Sequence, residues 1–198
     1  MTTFVLVRHA AHDLLGHAIA GRTRDVGLNA QGHGQAQALI QRLDRHAIER
    51  VYASPRVRTR ETISPFIAHA GVAQEMDGGV DEIDFGEWSG KPFSELDRDP
   101  QWRVWCERRS QAQPPGGETI RAVQSRVIAT MQRLRVAHAK ATVAIVSHGD
   151  VIKAALAHYL AVHLDHLERF DIAPASISVV VDDGAWAQVR LVNGTPEP

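Results

Sequence analysis

The 198-residue chain has one cysteine, two tyrosines and no long apolar run. The single thiol, Cys106, excludes a disulfide framework, a cysteine-based zinc site and an iron–sulfur cluster. An excess of one charge is also missing, since 22 Lys plus Arg against 23 Asp plus Glu leave a formal net charge of −1. Nucleic-acid binders that work through bulk electrostatics carry a basic stripe that this balance does not supply, whereas a small anion held by a few local arginines is compatible with it. The N-terminal apolar run Phe4–Val7 is stopped at once by Arg8 and His9, too short for a signal peptide or a membrane span. The expected setting is therefore the cytoplasm, with no membrane and no nucleic acid as partner. The 44% hydrophobic and 23% charged residues are those of a soluble globular enzyme.

What is present is an alternation of strand and helix signals. Phe4–Val7, Val51–Ala53 and Thr142–Val146 are short apolar runs of the kind found in strands buried on both faces. Between them Ala36, Leu39, Ile40 and Leu43 recur at helical spacing, with Asn29 as the expected cap before Gly32. Ile120, Val123, Val127, Met131 and Leu134 follow the breaker Pro114–Gly117 with similar spacing, and Glu118 and Thr119 start that helix. Ile177–Val181 and Trp186–Val192 flank Asp182–Ala185 as a hairpin. Strands alternating with helices predict an α/β layered fold with a mixed sheet. A single domain is expected over residues 1–192, with 193–198 a flexible tail. Gly78–Gln113 holds Trp88, Trp102 and Trp105 but few clean periods, and reads as an excursion over an open edge of the sheet.

Four segments carry chemistry. Arg8-His9 follows the first buried strand directly, and Ser147-His148-Gly149 follows the strand at 142–146 directly. In open α/β sheets ligands bind beyond the carboxyl ends of strands, so the two histidines are placed to converge on one crevice. Ser54-Pro55-Arg56-Val57-Arg58-Thr59 leaves a third strand and opens a helix, bringing arginine forks suited to phosphate or carboxylate. Of these arginines, Arg56 and Arg60 read as a solvated basic face. Asp81–Gly90 offers a carboxyl that could serve as a general acid, although alone it reads equally as a polar turn. Gly32-His33-Gly34 is not a dinucleotide fingerprint, and His158 and His163 point about 140° apart on a helix, against a shared metal face.

In order along the chain these pieces resemble the histidine phosphatase superfamily, the phosphoglycerate mutase-like fold. Arg8-His9 resembles the start of the family's Arg-His-Gly motif, and Gly21-Arg22-Thr23 with Leu28–Gly32 and Gln35-Ala36 resembles its next stretch. Ser54-Pro55-x-x-Arg58-Thr59-x-x-Thr62 matches its Ser-Pro helix start. Glu82–Gly90 is similar to the Glu-x-x-x-Gly segment of its cobalamin-pathway and broad-specificity phosphatases, and Pro114–Thr119 and Ser147-His148-Gly149 complete the order. Ala10, Ala11 and His12 depart from the family's usual residues there, as does Leu14-Leu15 where an asparagine is usual; His12 or His17 would make up the lost polar groups.

The resemblance implies a three-layer α/β/α fold with a mixed, mostly parallel sheet of about six strands. It implies a metal-independent phosphomonoester hydrolase of a small phosphorylated metabolite, acting without a cofactor through a phosphohistidine. His9 would be the nucleophile and Glu82 the general acid. Arg8, Arg58 and a cationic His148 would bind the phosphoryl oxygens, with Arg22 and His12 as candidate substrate-binding residues. A homodimer is allowed by this reading. The alternatives are a mutase-type phosphoryl transferase and a catalytically impaired phospho-ligand-binding regulator.

Overall fold

The strands β1 (Thr2–Arg8), β2 (Arg50–Ala53), β3 (Ala73–Met76), β4 (Thr142–Ser147), β5 (Ile177–Asp182) and β6 (Ala187–Gly194) form one sheet in the order β3-β2-β4-β1-β5-β6. These come from a computed structural model that describes residues 1–23 and 25–196. β3, β2, β4 and β1 run parallel, and β5 and β6 join antiparallel, which gives the mixed, mostly parallel sheet expected.

The central strands alternate cleanly between faces, as a period of two requires. Val5 and Val7 of β1, Val51 and Ala53 of β2, and Ala144 and Val146 of β4 pack with Leu39, Leu43, Ile63 and Phe66. Those last four belong to the helices α1 (Ala30–Asp44) and α2 (Val57–Ala70). Phe4, Leu6, Tyr52, Val143 and Ile145 face the other way, toward α5 (Ile120–Ala137) and α6 (Gly149–Tyr159). Among the described residues no helix is long and apolar enough to cross a membrane.

Two expected boundaries shift. The hairpin continues to Gly194, so Asn193 and Gly194 belong to β6 rather than to a tail. Asn193 takes a left-handed backbone, and its Oδ1 accepts from the Ala173 amide at 2.6 Å. Residues 197–198 of the expected tail lie outside the described residues, as does residue 24. The segment 78–113 does not run out over a sheet edge. It forms short turns and the helices α3 (Phe93–Leu96) and α4 (Pro100–Glu107), and it inserts Val80, Ile83, Phe85, Trp88, Leu96 and Trp105 into the core shared with α5 and α6. Aromatic edges, not a helical period, hold it: Phe85 meets Trp105 edge-on at 5.8 Å and Trp88 meets Trp102 at 5.3 Å. β3 carries no apolar alternation, because Ala73–Met76 is a mostly exposed edge strand.

Candidate active site

β2, β4 and β1 are neighbours, so their carboxyl ends deliver Ser54, His148 and Arg8-His9 to one place. The local sequence then fixes each side chain. Asn29 Oδ1 caps α1 by accepting from the Gly32 amide at 2.9 Å. A Cβ at position 32 would stand 2.1 Å from the Ala11 carbonyl, so only glycine lets α1 lie this close to the loop after His9. Gln35 Oε1 accepts from the Ala11 amide at 2.9 Å and ties the same loop. From the other side Thr62 Oγ1 accepts from the Ala10 amide at 2.8 Å and donates to the Arg58 carbonyl at 2.6 Å. Residues far apart in sequence thus hold the turn that aims His9. Gly86, at φ +50°, is pressed on the Pro115 carbonyl, where a Cβ would come within 2.1 Å, and this seats the Glu82 loop on Pro114–Gly117.

His9 is buried, and its Nδ1 lies 2.9 Å from the Ala10 carbonyl oxygen. A carbonyl can only accept, so Nδ1 carries the proton and Nε2 is the lone-pair nitrogen. Burial, with Arg58 and Arg8 adding to it, pushes the His9 pKa well below its ordinary value and keeps the ring neutral. Arg58 is fully buried. Its Nη2 donates to the Gly21 carbonyl at 2.8 Å and approaches His148 Nδ1 at 3.1 Å and Glu82 Oε2 at 3.5 Å. His148 Nδ1 therefore accepts, and its Nε2–H points to Ser54 Oγ at 2.8 Å. Ser54 in turn donates to Asp81 Oδ1 at 2.8 Å. The histidine expected to be cationic is neutral here, because burial and then Arg58 push its pKa well down. Burial also raises the Glu82 carboxyl to about 7, against the pull of Arg58.

A cavity of about 310 Å³ opens on this cluster and is lined by Arg8, His9, His12 and Glu82, while the fully buried Arg58 and His148 touch Glu82 without lining the cavity. Arg8 Nε, Arg58 Nε, Arg58 Nη1 and His12 Nδ1 are buried with no hydrogen-bond partner among the described residues. Arg8 and His12 line the cavity and Arg58 touches its Glu82 wall, whereas Gln74 and Ser176, which hold the other such atoms, do not line it. Buried donors left unpaired cost free energy, of order 1–3 kcal/mol each, unless a ligand satisfies them. Three guanidinium nitrogens around one neutral imidazole call for a compact, multiply charged oxyanion.

His9, Glu82 and His148 also bring potential metal ligands within 4.8 Å of one another. The Arg58 guanidinium lies 3.1 Å from one of them and 3.5 Å from another, so a metal cation would meet a fixed positive charge. The donor set fits an anion better than a metal.

The sequence profile described as the histidine phosphatase superfamily (branch 1) matches residues 4–195. The chain belongs to that superfamily. It is 30% identical over 182 residues to phosphoserine phosphatase 1 of Hydrogenobacter thermophilus, covering 91% of this chain and 86% of that protein. It is 35% identical over 199 residues to the bifunctional protein Rv2228c of Mycobacterium tuberculosis; this covers 98% of the chain but spans only about half, 54%, of that relative's length. Among solved structures, Bacillus stearothermophilus YhfR superposes with a TM-score of 0.93 at 26% identity, covering 98% of each chain.

Within this superfamily frame the departure at Ala10 is sterically neutral: Ala10 is not among the residues with positive φ, and it is buried beside Val5 and Val7. His12, not His17, joins the site. Its buried ring sits 5.1 Å from that of His9, whereas His17 is exposed. Burial, then Arg58 and Arg8, lower the His12 pKa to about 4.

Arg22, a candidate substrate-binding residue from the resemblance, does not line the cavity. Its Nε donates to the Glu82 carbonyl at 2.8 Å and its Nη2 to Glu118 at 3.0 Å, with Asp84 at 3.5 Å, so protein acceptors consume its fork. Arg56, expected on a solvated face, grips Asp81 with both Nε (2.9 Å) and Nη2 (2.8 Å). Asp81 therefore supports the site through Ser54 and through the Glu82 amide, which it accepts at 2.8 Å. Arg109, Asp150, Lys153, Glu168 and Asp171 line the outer part of the cavity. Nothing in their local sequence marks them, because they come from separate turns and from α6.

The Asp81–Ser54–His148 chain leads to a test. Ser54→Ala should release the His148 tautomer and lower kcat about 10–100-fold, the usual worth of a group that orients a histidine. Nitrogen-15 spectra should then show a mixed His148 tautomer. An unchanged tautomer with unchanged kcat would leave the chain of hydrogen bonds without catalytic effect.

Proposed function

We propose that the protein is a phosphomonoester hydrolase that works through a phosphohistidine on His9. One observation carries the reading: a neutral His9 with Nδ1 tied to Ala10 keeps its Nε2 lone pair free on the wall of a cavity that Arg8 also lines, with unpaired nitrogens of Arg8 and of buried Arg58 close enough to lower the pKa of its ring. In this reading Nε2 attacks phosphorus without prior deprotonation. Arg8 and Arg58 hold the non-bridging oxygens, and the bond from phosphorus to the leaving oxygen breaks as that oxygen takes a proton from Glu82. The Glu82 carboxylate then removes a proton from water, which attacks the phosphoryl group. Inorganic phosphate leaves and His9 is regenerated. His148 joins by gaining a proton at Nδ1 when the dianion arrives, since nearby negative charge offsets its desolvation. Positioning and charge neutralisation supply most of the rate.

The named phosphatase among the relatives supports this class. Glu82 separates it from a phosphate-binding regulator, because a pure binder has no use for a carboxyl poised at about 7. The deciding experiment traps the intermediate: labelled phosphomonoester, with chelator present, quenched in alkali. Base-stable, acid-labile label should appear on one peptide containing His9. Label elsewhere, or turnover lost to the chelator and restored by magnesium, would overturn the proposal.

Glu82 gives a second expectation. A general acid matters in proportion to the leaving group's need for a proton, so Glu82→Gln should slow the phosphorylation step by about 10²–10⁴-fold for alkyl phosphates and much less for nitrophenyl phosphate. The acid form is lost as pH rises through about 7, so wild-type kcat/KM for alkyl substrates should fall above that pH. The variant should lack this limb. An equal loss on both substrate classes would make the carboxylate structural.

A further inference from the structure

Beside the phosphoryl-binding cavity lies a second one of about 440 Å³, of different chemistry. Its walls are Ile19, Phe85, Phe93, Trp102, Trp105 and Cys106. The two cavities share Phe93, Arg109, Asp150 and Glu168, so they adjoin across a charged collar. Arg109 forms that collar. Its Nη1 donates to Asp150 at 2.8 Å, its Nη2 lies 3.0 Å from Glu168, and its guanidinium stands 5.3 Å from the centre of the Trp105 ring. Burial alone would push the Asp150 carboxyl up, but Arg109 holds it below the ordinary carboxylate range, so the pair stays ionic. The order outward from His9 is thus oxyanion site, polar collar, aromatic chamber.

We propose that the aromatic chamber receives the leaving alcohol, and that the preferred substrates are monoesters of alcohols bearing a flat apolar ring system. The proposal rests on the hydrolase reading above and adds the substrate class to it. A serine-sized alcohol ends at the collar and buries none of the chamber wall. A two-ring group reaches past Arg109 and exchanges water for indole and phenyl surface. Phe93 and Trp102 stack on each other at 6.0 Å and 27°, and with Phe85 and Trp105 they make four of the six apolar walls aromatic, a lining that packs a ring in offset or edge-to-face geometry and so favours it over an alkyl chain. Pockets with an apolar body and a few placed polar groups bind small molecules by this division of labour.

The test compares ethyl phosphate, octyl phosphate and 2-(2-naphthyl)ethyl phosphate, all primary alkyl esters with similar need of an acid. The naphthyl ester should show a kcat/KM about 10²-fold above that of ethyl phosphate, the discrimination expected from burying a two-ring apolar surface. Trp102→Ala, and separately Cys106→Trp, which fills the chamber from its rim, should each bring that ratio below about tenfold. Equal kcat/KM for the ethyl and naphthyl esters, or a ratio unmoved by both variants, would overturn the proposal; octyl phosphate gaining as much as the naphthyl ester would overturn the ring assignment. Binding to His9→Ala, followed by tryptophan fluorescence, separates this outcome from failure of the hydrolase reading. Tighter binding of the naphthyl ester than of the ethyl ester there supports the chamber even if no turnover is found, and equal binding counts against it.

Discussion

Replacing His9 by alanine should lower kcat for any phosphomonoester by about 10⁴-fold or more, the scale on which loss of a covalent nucleophile is felt. The size follows from how completely the fold commits this side chain. The ring is buried, neutral and fixed in one tautomer by the Ala10 carbonyl, so no rotamer search or deprotonation precedes attack. His148 does not have this freedom, since both its ring nitrogens are engaged, with Arg58 at 3.1 Å and Ser54 at 2.8 Å. His12, 5.1 Å from His9 between ring centroids, is the side chain through which water or a weak substitute could act. The double variant His9→Ala, His12→Ala should therefore be no slower than the single one if His9 alone attacks. Rapid-quench turnover of ethyl phosphate measures both, and a His9→Ala enzyme within tenfold of wild type would exclude the phosphohistidine route.

Arg58→Lys should be nearly as damaging, with kcat down by about 10³–10⁵-fold, the range seen when an arginine that neutralises a transferring phosphoryl group is removed. Lysine keeps the charge, so the loss isolates geometry. Nη2 of Arg58 is spent on the Gly21 carbonyl, which leaves Nε and Nη1 as unpaired donors on two different edges of the planar group. An ammonium gathers its donors on one atom and cannot reach the carbonyl and ligand oxygens on the other edges at once. Vanadate, which adopts the trigonal bipyramid of the transition state, should lose more affinity than phosphate in the variant. A lysine enzyme within tenfold of wild type, or equal losses for the two inhibitors, would show that Arg58 supplies charge alone.

Arg22 and Arg56 show where the sequence stops informing. Arg56 follows a strand end and reads from sequence as surface, while Arg22 is a candidate substrate contact only through the family resemblance. The fold gives both the same fate, because Asp81 and Asp84 from one loop and Glu118 from another converge and absorb them. Ionic pairing depends on which carboxylates arrive within about 4 Å, and no spacing along the chain encodes that. Gly78–Gln113 was opaque for a related reason: its order comes from aromatic rings meeting edge to face, which leaves no period in sequence.

The sequence by itself determined the layered α/β class, the central strands, the cap at Asn29, and the delivery of His9, Arg58 and His148 to strand ends and a helix start. Those features are set by short-range rules: alternation along a strand, 3.6-residue periodicity, side-chain capping, and the turn chemistry of Ser-Pro. Only the tertiary structure decided that His148 is neutral and hydrogen-bonded to Ser54, 94 residues away, and that Asp81 stands behind them. It alone turned Glu82 into a carboxyl at about 7 and set an aromatic chamber beside the oxyanion site. Protonation state and cavity shape depend on the desolvation and charges contributed by every element packed around a group, and these are properties of the assembled fold.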